Sequence, residues 1–124
     1  MSEVKLGVSA GAETEKLVTA IVAEMDKDPS LKFKIKRNIE KSDGLAGEPI
    51  TTGIIISGTA IVVSAILRVI EKEIERRRQL ETMRIVAEGF AEDRKLGEAL
   101  AALAKTHARV SISQGIAKEA WGNP

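Results

Sequence analysis

Between Pro49 and Arg68 the chain runs for 18 residues without a charge: Ile-Thr-Thr-Gly-Ile-Ile-Ile-Ser-Gly-Thr-Ala-Ile-Val-Val-Ser-Ala-Ile-Leu. In a sequence that is 30% charged, no other feature limits the accessible folds as strongly. As a helix the stretch would extend about 27 Å, just inside the range for crossing a hydrocarbon core. The competing reading is a buried helix or strand of a water-soluble core. Thr51, Thr52, Ser57, Thr59 and Ser64 lower the hydrophobicity, and β-branched residues are dense. Length decides for the first reading, a single-pass transmembrane helix over residues 50–67. Within it Gly53, Ser57, Ala60 and Ser64 recur at spacings of four, three and four, so small side chains line one helical face. Such a seam lets two helices approach closely, in lipid or in an oligomer core.

The residues before this stretch alternate with a period of two. Val4, Leu6 and Val8 are separated by Lys5 and Gly7, and Leu31, Phe33 and Ile35 by Lys32 and Lys34, which is the mark of half-buried strands. Between them Leu17, Val18, Ile21, Val22 and Met25 share a helical face. Glu13 and Glu15 fall in the first turn, and Asp28-Pro29 ends the run. Residues 1–37 therefore read as a βαβ head, and residues 38–49, rich in turn formers, as a linker. The lysines of the second strand mark it as a guarded sheet edge.

After Leu67 the chain becomes a charged helical tail, residues 68–124. Glu73 and Arg77 stand at a supporting helical spacing, as do Arg84 and Glu88. Leu80, Met83, Ala87 and Phe90 continue at three-four spacing and form a second candidate interface. Leu96, Leu100, Leu103, His107 and Val110 repeat the pattern in a C-terminal helix. No long internal repeat is evident. The expected fold is α+β and mostly α: a βαβ head, a long apolar-then-charged helix and a C-terminal helix.

Composition narrows the function. The length of 124 residues suits one domain, and 19 basic against 18 acidic residues leave a net charge of +1, so no nucleic acid partner is expected. With no Cys and a single His, disulfides, thiolate zinc sites and poly-histidine metal sites are closed. Aromatics at 2% leave little for stacking or a lined ligand pocket. Gly7-Val8-Ser9-Ala10-Gly11 sits where phosphate loops occur but lacks their Gly-Lys-Ser/Thr ending, and reads as a plain turn. His107 and Ser111 stand one helical turn apart, yet no acid nearby would orient the imidazole. Glu88, Glu92 and Asp93 read as a solvated helix face, as does Arg76-Arg77-Arg78 among its glutamates. Trp121 reads as a packing residue. No catalytic, cofactor-binding or metal-ligating residue is assigned, and no cofactor is expected.

The order of a short βαβ unit, Asp28-Pro29, a Gly- and Pro-containing linker and a Gly/Ser/Ala-punctuated apolar segment closed by Arg68 and Arg76-Arg77-Arg78 is one known pattern. It resembles, over about residues 4–78, the small effector-associated constant component domains of bacterial conflict systems. The resemblance implies a non-catalytic membrane adaptor. With no apolar leader after Glu3 and Lys5, the chain is expected to start in the cytosol and reside at the inner membrane. The expected function is a non-enzymatic membrane adaptor that binds other proteins and itself. The alternative is a soluble structural homo-oligomer in the cytoplasm, with residues 50–67 as shared core.

Overall fold

The computed structural model describes residues 3–41, 49–76 and 82–116. Eight elements follow one another: β1 (Val4–Ser9), α1 (Thr14–Met25), β2 (Phe33–Lys41), β3 (Pro49–Gly58), α2 (Ala60–Arg76), β4 (Met83–Glu88), α3 (Arg94–Thr106) and β5 (Val110–Gln114). Single 3₁₀ turns, Gly11–Glu13 and Phe90–Glu92, lead into α1 and α3. The strands form one sheet in the order β2-β3-β1-β4-β5, antiparallel throughout except for β5, which runs parallel to β4. The first six elements have the split βαβ connectivity of ferredoxin-like folds, and α3 with β5 extends it.

The uncharged stretch is not one helix. It divides at Thr59, with β3 before it and α2 after it. Ile54 and Ile56 are fully buried beneath the helices, while Ile55 points to the other face, so the β-branched run is used as a strand. Gly58 makes the turn into α2; a Cβ there would lie 3.2 Å from Val62 Cγ1. Thr59 starts the helix, its carbonyl accepting from the Val63 N–H at 3.0 Å. From there α2 is amphipathic rather than apolar all round: Val63, Ile66, Ile70 and Ile74 are buried, while Ile61, Arg68, Lys72 and Glu75 are exposed. Among the described residues no helix is long and apolar enough to cross a membrane, which overturns the single-pass transmembrane helix.

The expected fold class is corrected in two further places. β1 and β2 do not pair as a βαβ unit, because β3 lies between them and binds both in antiparallel register, Leu6 opposite Ile56 and Ile56 opposite Ile35. An apolar strand needs hydrogen-bonding partners on both edges once it is buried, and β3 finds them there. The charged tail is not continuously helical either. Met83, Ile85 and Ala87 alternate with Arg84 and Val86 in β4, a period of two hidden inside an apparent three-four spacing.

All three helices cover the same face of the sheet. Leu6, Val8, Ile54, Ile56 and Ile85 form the floor of the core, and Leu17, Ile21, Ile66, Ile70, Leu96 and Phe90 the roof. The opposite face carries Lys5, Lys34, Lys36, Ser57, Arg84 and Ser111.

Candidate interaction surface

The residues proposed for self-association fall into three groups. Gly53 and Ser57 lie in β3, on the sheet face away from the helices, Gly53 opposite Asn38 and Ser57 between Lys34 and Lys5. Ala60 and Ser64 lie on the N-terminal half of α2 and are half-buried. The continuous seam over all four positions is therefore absent, since a strand and a helix separated by the turn at Thr59 cannot share one helical face. Met83, Ala87 and Phe90 are core residues with at most 2% exposure, which removes them from any surface. Leu80 and Trp121 lie outside the described residues.

What surrounds Ala60 and Ser64 was not singled out from the sequence. Ile61 is 76% exposed, the highest value for a large apolar side chain among the described residues. Its place follows from the helical period. Val62, Val63, Ile66 and Ile70 take the inward face, and Ile61 is left with Ser64, Ala65 and Arg68 on the outer one. The signal was present in the sequence, but it can be read only once the helix is known to begin at Ala60.

Two clefts flank Ile61. One, of about 320 Å³, runs from Leu31 across Ala60, Ser64 and Ala65 to Leu96. The other, of about 280 Å³, reaches Val4, Thr59 and Gly89. Ala60, Ile61 and Asp93 border both. The small side chains of Ala60, Ser64 and Ala65 make the floor, so an apolar knob and an apolar hollow stand side by side. Arg68 and Lys95 supply positive charge at the rim of the first cleft, Glu92 supplies negative charge at the second, and Asp93 stands between the two. Asp93 is fixed, because its side chain accepts the Leu96 N–H at 3.0 Å and caps α3.

The other candidate groups do not converge. His107 is the half-buried C-cap of α3, its backbone N–H donating to Leu103 O at 3.1 Å, while Nε2 is buried with no hydrogen-bond partner among the described residues. Ser111 is exposed on the far face of β5. Glu88 is in β4, paired with Lys5 at 3.9 Å, and Glu92 and Asp93 belong to the following turn, so these acids share no helix face. Among the described residues no group of three His, Cys, Asp or Glu side chains is placed to hold a metal ion. Gly11, at φ +57°, forms a turn between β1 and α1, and Glu13 within it pairs with Lys16 at 3.6 Å.

One carboxylate outside this surface is strongly paired. Glu15 on α1 accepts from Arg37 Nε at 3.0 Å, and the hydrogen bond from Arg37 holds its pKa below the usual carboxylate range. The pair links α1 to β2.

No protein-family model, no curated protein and no solved structure matches the chain. The resemblance to effector-associated domains gains no support from these comparisons.

Proposed function

We propose that this chain is a non-enzymatic structural subunit that associates with a second copy of itself through the N-terminal half of α2. The observation that carries the reading is Ile61. A side chain of this size, 76% exposed beside hollows floored by alanine and serine, gains about 1.5–3 kcal/mol when it is fully buried. Knob and hollow belong to the same patch, which suits a two-fold contact in which each copy inserts Ile61 into the other. The rim favours the same partner. Two-fold apposition can bring Arg68 and Lys95 of one copy to Glu92 and Asp93 of the other, unlike charges meeting at an apolar centre. Ala60 and Ser64 keep the role that the sequence suggested, as small residues permitting close approach, on the outside of an amphipathic helix.

The test is Ile61→Lys with native mass spectrometry and sedimentation equilibrium. The expected result is a lower oligomeric mass with an unchanged circular dichroism spectrum and a Tm that is lower than the original's at high protein concentration but equal to it on dilution, because Ile61 contributes little to the core and only the stabilisation from association is lost. Ile61→Leu should retain the oligomer. An Ile61→Lys protein with the mass of the original would sink the reading.

A further inference from the structure

The sheet ends in two unlike edges. β2 presents Lys34, Lys36 and Arg37 along one edge and breaks its register between Asn38 and Ile39, two devices that oppose pairing with another strand. β5, Val-Ser-Ile-Ser-Gln from Val110 to Gln114, has no charge, no proline and no register break. Its backbone also shows which groups are available. The Met83 N–H donates to Arg109 O and the Gly115 N–H to Ala87 O, so the odd-numbered residues of β5 face β4. By alternation Val110, Ile112 and Gln114 direct their N–H and C=O groups outward. The Val110 N–H is taken by His107 O at 3.1 Å, and nothing among the described residues bonds the N–H of Ile112 or Gln114.

A second observation concerns the symmetry of the sheet. β1 and β4 pair with Gly7 opposite Val86, and each is followed by a 3₁₀ turn and a helix. About the line between Gly7 and Val86 an approximate two-fold relates these two units. On the β1 side the sheet continues through β3 to β2, whereas on the β4 side it stops at β5. Among the described residues no strand takes the position corresponding to β2 there.

We infer that β5 is a second interface, which pairs antiparallel with β5 of another copy of this chain and joins two sheets into one. The strand is self-complementary about Ile112. With Ile112 opposite its own counterpart, the two residues exchange N–H···O bonds in both directions, and the Gln114 N–H of each copy reaches Val110 O of the other. Ile112, half-buried at the margin of the core, would then meet its counterpart and make the two cores continuous across the junction. Ser111 and Ser113 would stand opposite each other on the far face. This contact is independent of Ile61, which lies on α2. A chain with both interfaces assembles beyond a dimer.

The experiment uses the full chain in the Ile61→Lys background, where the α2 contact is disabled. Native mass spectrometry and sedimentation equilibrium of Ile61→Lys should give a dimer. Adding Ser111→Lys with Ser113→Lys sets like charges directly opposite and should weaken that dimer about tenfold or more. Adding Ser111→Lys with Ser113→Glu instead sets unlike charges opposite and should keep it, although each chain carries two substitutions in either case. Amide hydrogen exchange gives a separate readout: the Ile112 N–H should be protected in the dimer and lose protection on dilution. A monomeric Ile61→Lys protein, or a dimer indifferent to the Lys/Lys pair, overturns the inference. If Ile61→Lys leaves the original mass unchanged while Ser111→Lys with Ser113→Lys lowers it, the α2 reading fails and the β5 interface stands.

Discussion

The unit β1-α1-β2 and the unit β4-α3-β5 are built on the same plan and used differently. Aligning Val4 with Met83 superimposes Ala12 on Ala91, Glu13 on Glu92, Lys16 on Lys95 and Leu17 on Leu96, and the 3₁₀ turns Gly11–Glu13 and Phe90–Glu92 coincide. The two units thus share a local plan, although no long repeat is evident in the sequence. Few identities mark that plan, and conservative exchanges such as Leu6 against Ile85 conceal the rest. The units part company at the next strand. β3 intrudes between β1 and β2, whereas β5 docks directly on β4 in parallel. A common local plan therefore does not fix strand order; the availability of a third apolar strand does.

The two turns also differ in what they contribute to the core, and this gives the largest expected effect. Phe90 is 2% exposed and fills the core at the position where the first unit has Gly11. Phe90→Ala should lower the unfolding free energy by about 3–5 kcal/mol in urea titration. Gly11→Ala should lower it by about 1–2 kcal/mol, because Gly11 sits at φ +57° and the space around it is open, so only the backbone is strained. Equal effects at the two positions would break the comparison.

Helix starts give an intermediate effect. α3 is capped by the Asp93 carboxylate, and Asp93→Ala should cost about 1 kcal/mol. The residue that aligns with Asp93 in the first unit is Thr14, the first residue of α1, buried at 1%, which accepts the Ala10 N–H at 3.1 Å and donates to Gly11 O at 2.8 Å. Thr14→Val keeps the shape but orphans that N–H, with an expected cost of about 1–3 kcal/mol. Matched denaturant curves for the two variants would rank the cap against the buried hydroxyl.

The smallest effect concerns the ion pairs. Arg94 and Glu98 pair at 3.1 Å within α3, whereas Arg37 and Glu15 pair at 3.0 Å between β2 and α1. Both are exposed, so Arg37→Ala should cost under about 1 kcal/mol, less in high salt. Because the folded-state pKa of Glu15 is lowered, its contribution is fully present above the unfolded pKa and is lost as pH falls through the folded value. Comparing acid unfolding of the original and Arg37→Ala proteins should show the difference vanish at the acidic end; a difference that persists there would mean that Arg37 acts by packing.

How much of this was legible differs from element to element. Local pattern alone gave the inward face of α1, since Leu17, Val18, Ile21 and Met25 repeat at helical spacing and all are buried. It also determined the alternation of Val4, Leu6 and Val8 and the guarded character of the strand bearing Lys34 and Lys36, because these are properties of neighbours along the chain. Of the candidate interface, Ser57 stayed accessible on the far sheet face and Ala60 and Ser64 on α2, and Ile61 between the last two was missed because the way it faces can be read only once the helix is known to begin at Ala60. That residues 50–67 divide into a strand and then a helix was left to contacts distant in sequence. A short apolar run satisfies both periods, and the choice falls to the strands that complete its backbone hydrogen bonds, β1 on one side and β2 on the other. The same holds for Met83 to Phe90, whose spacing fits either element until β1 is there to pair with it. Partners distant in sequence fixed what local pattern left open, since hydrogen bonds between strands and burial between layers are non-local quantities that no window of the chain contains.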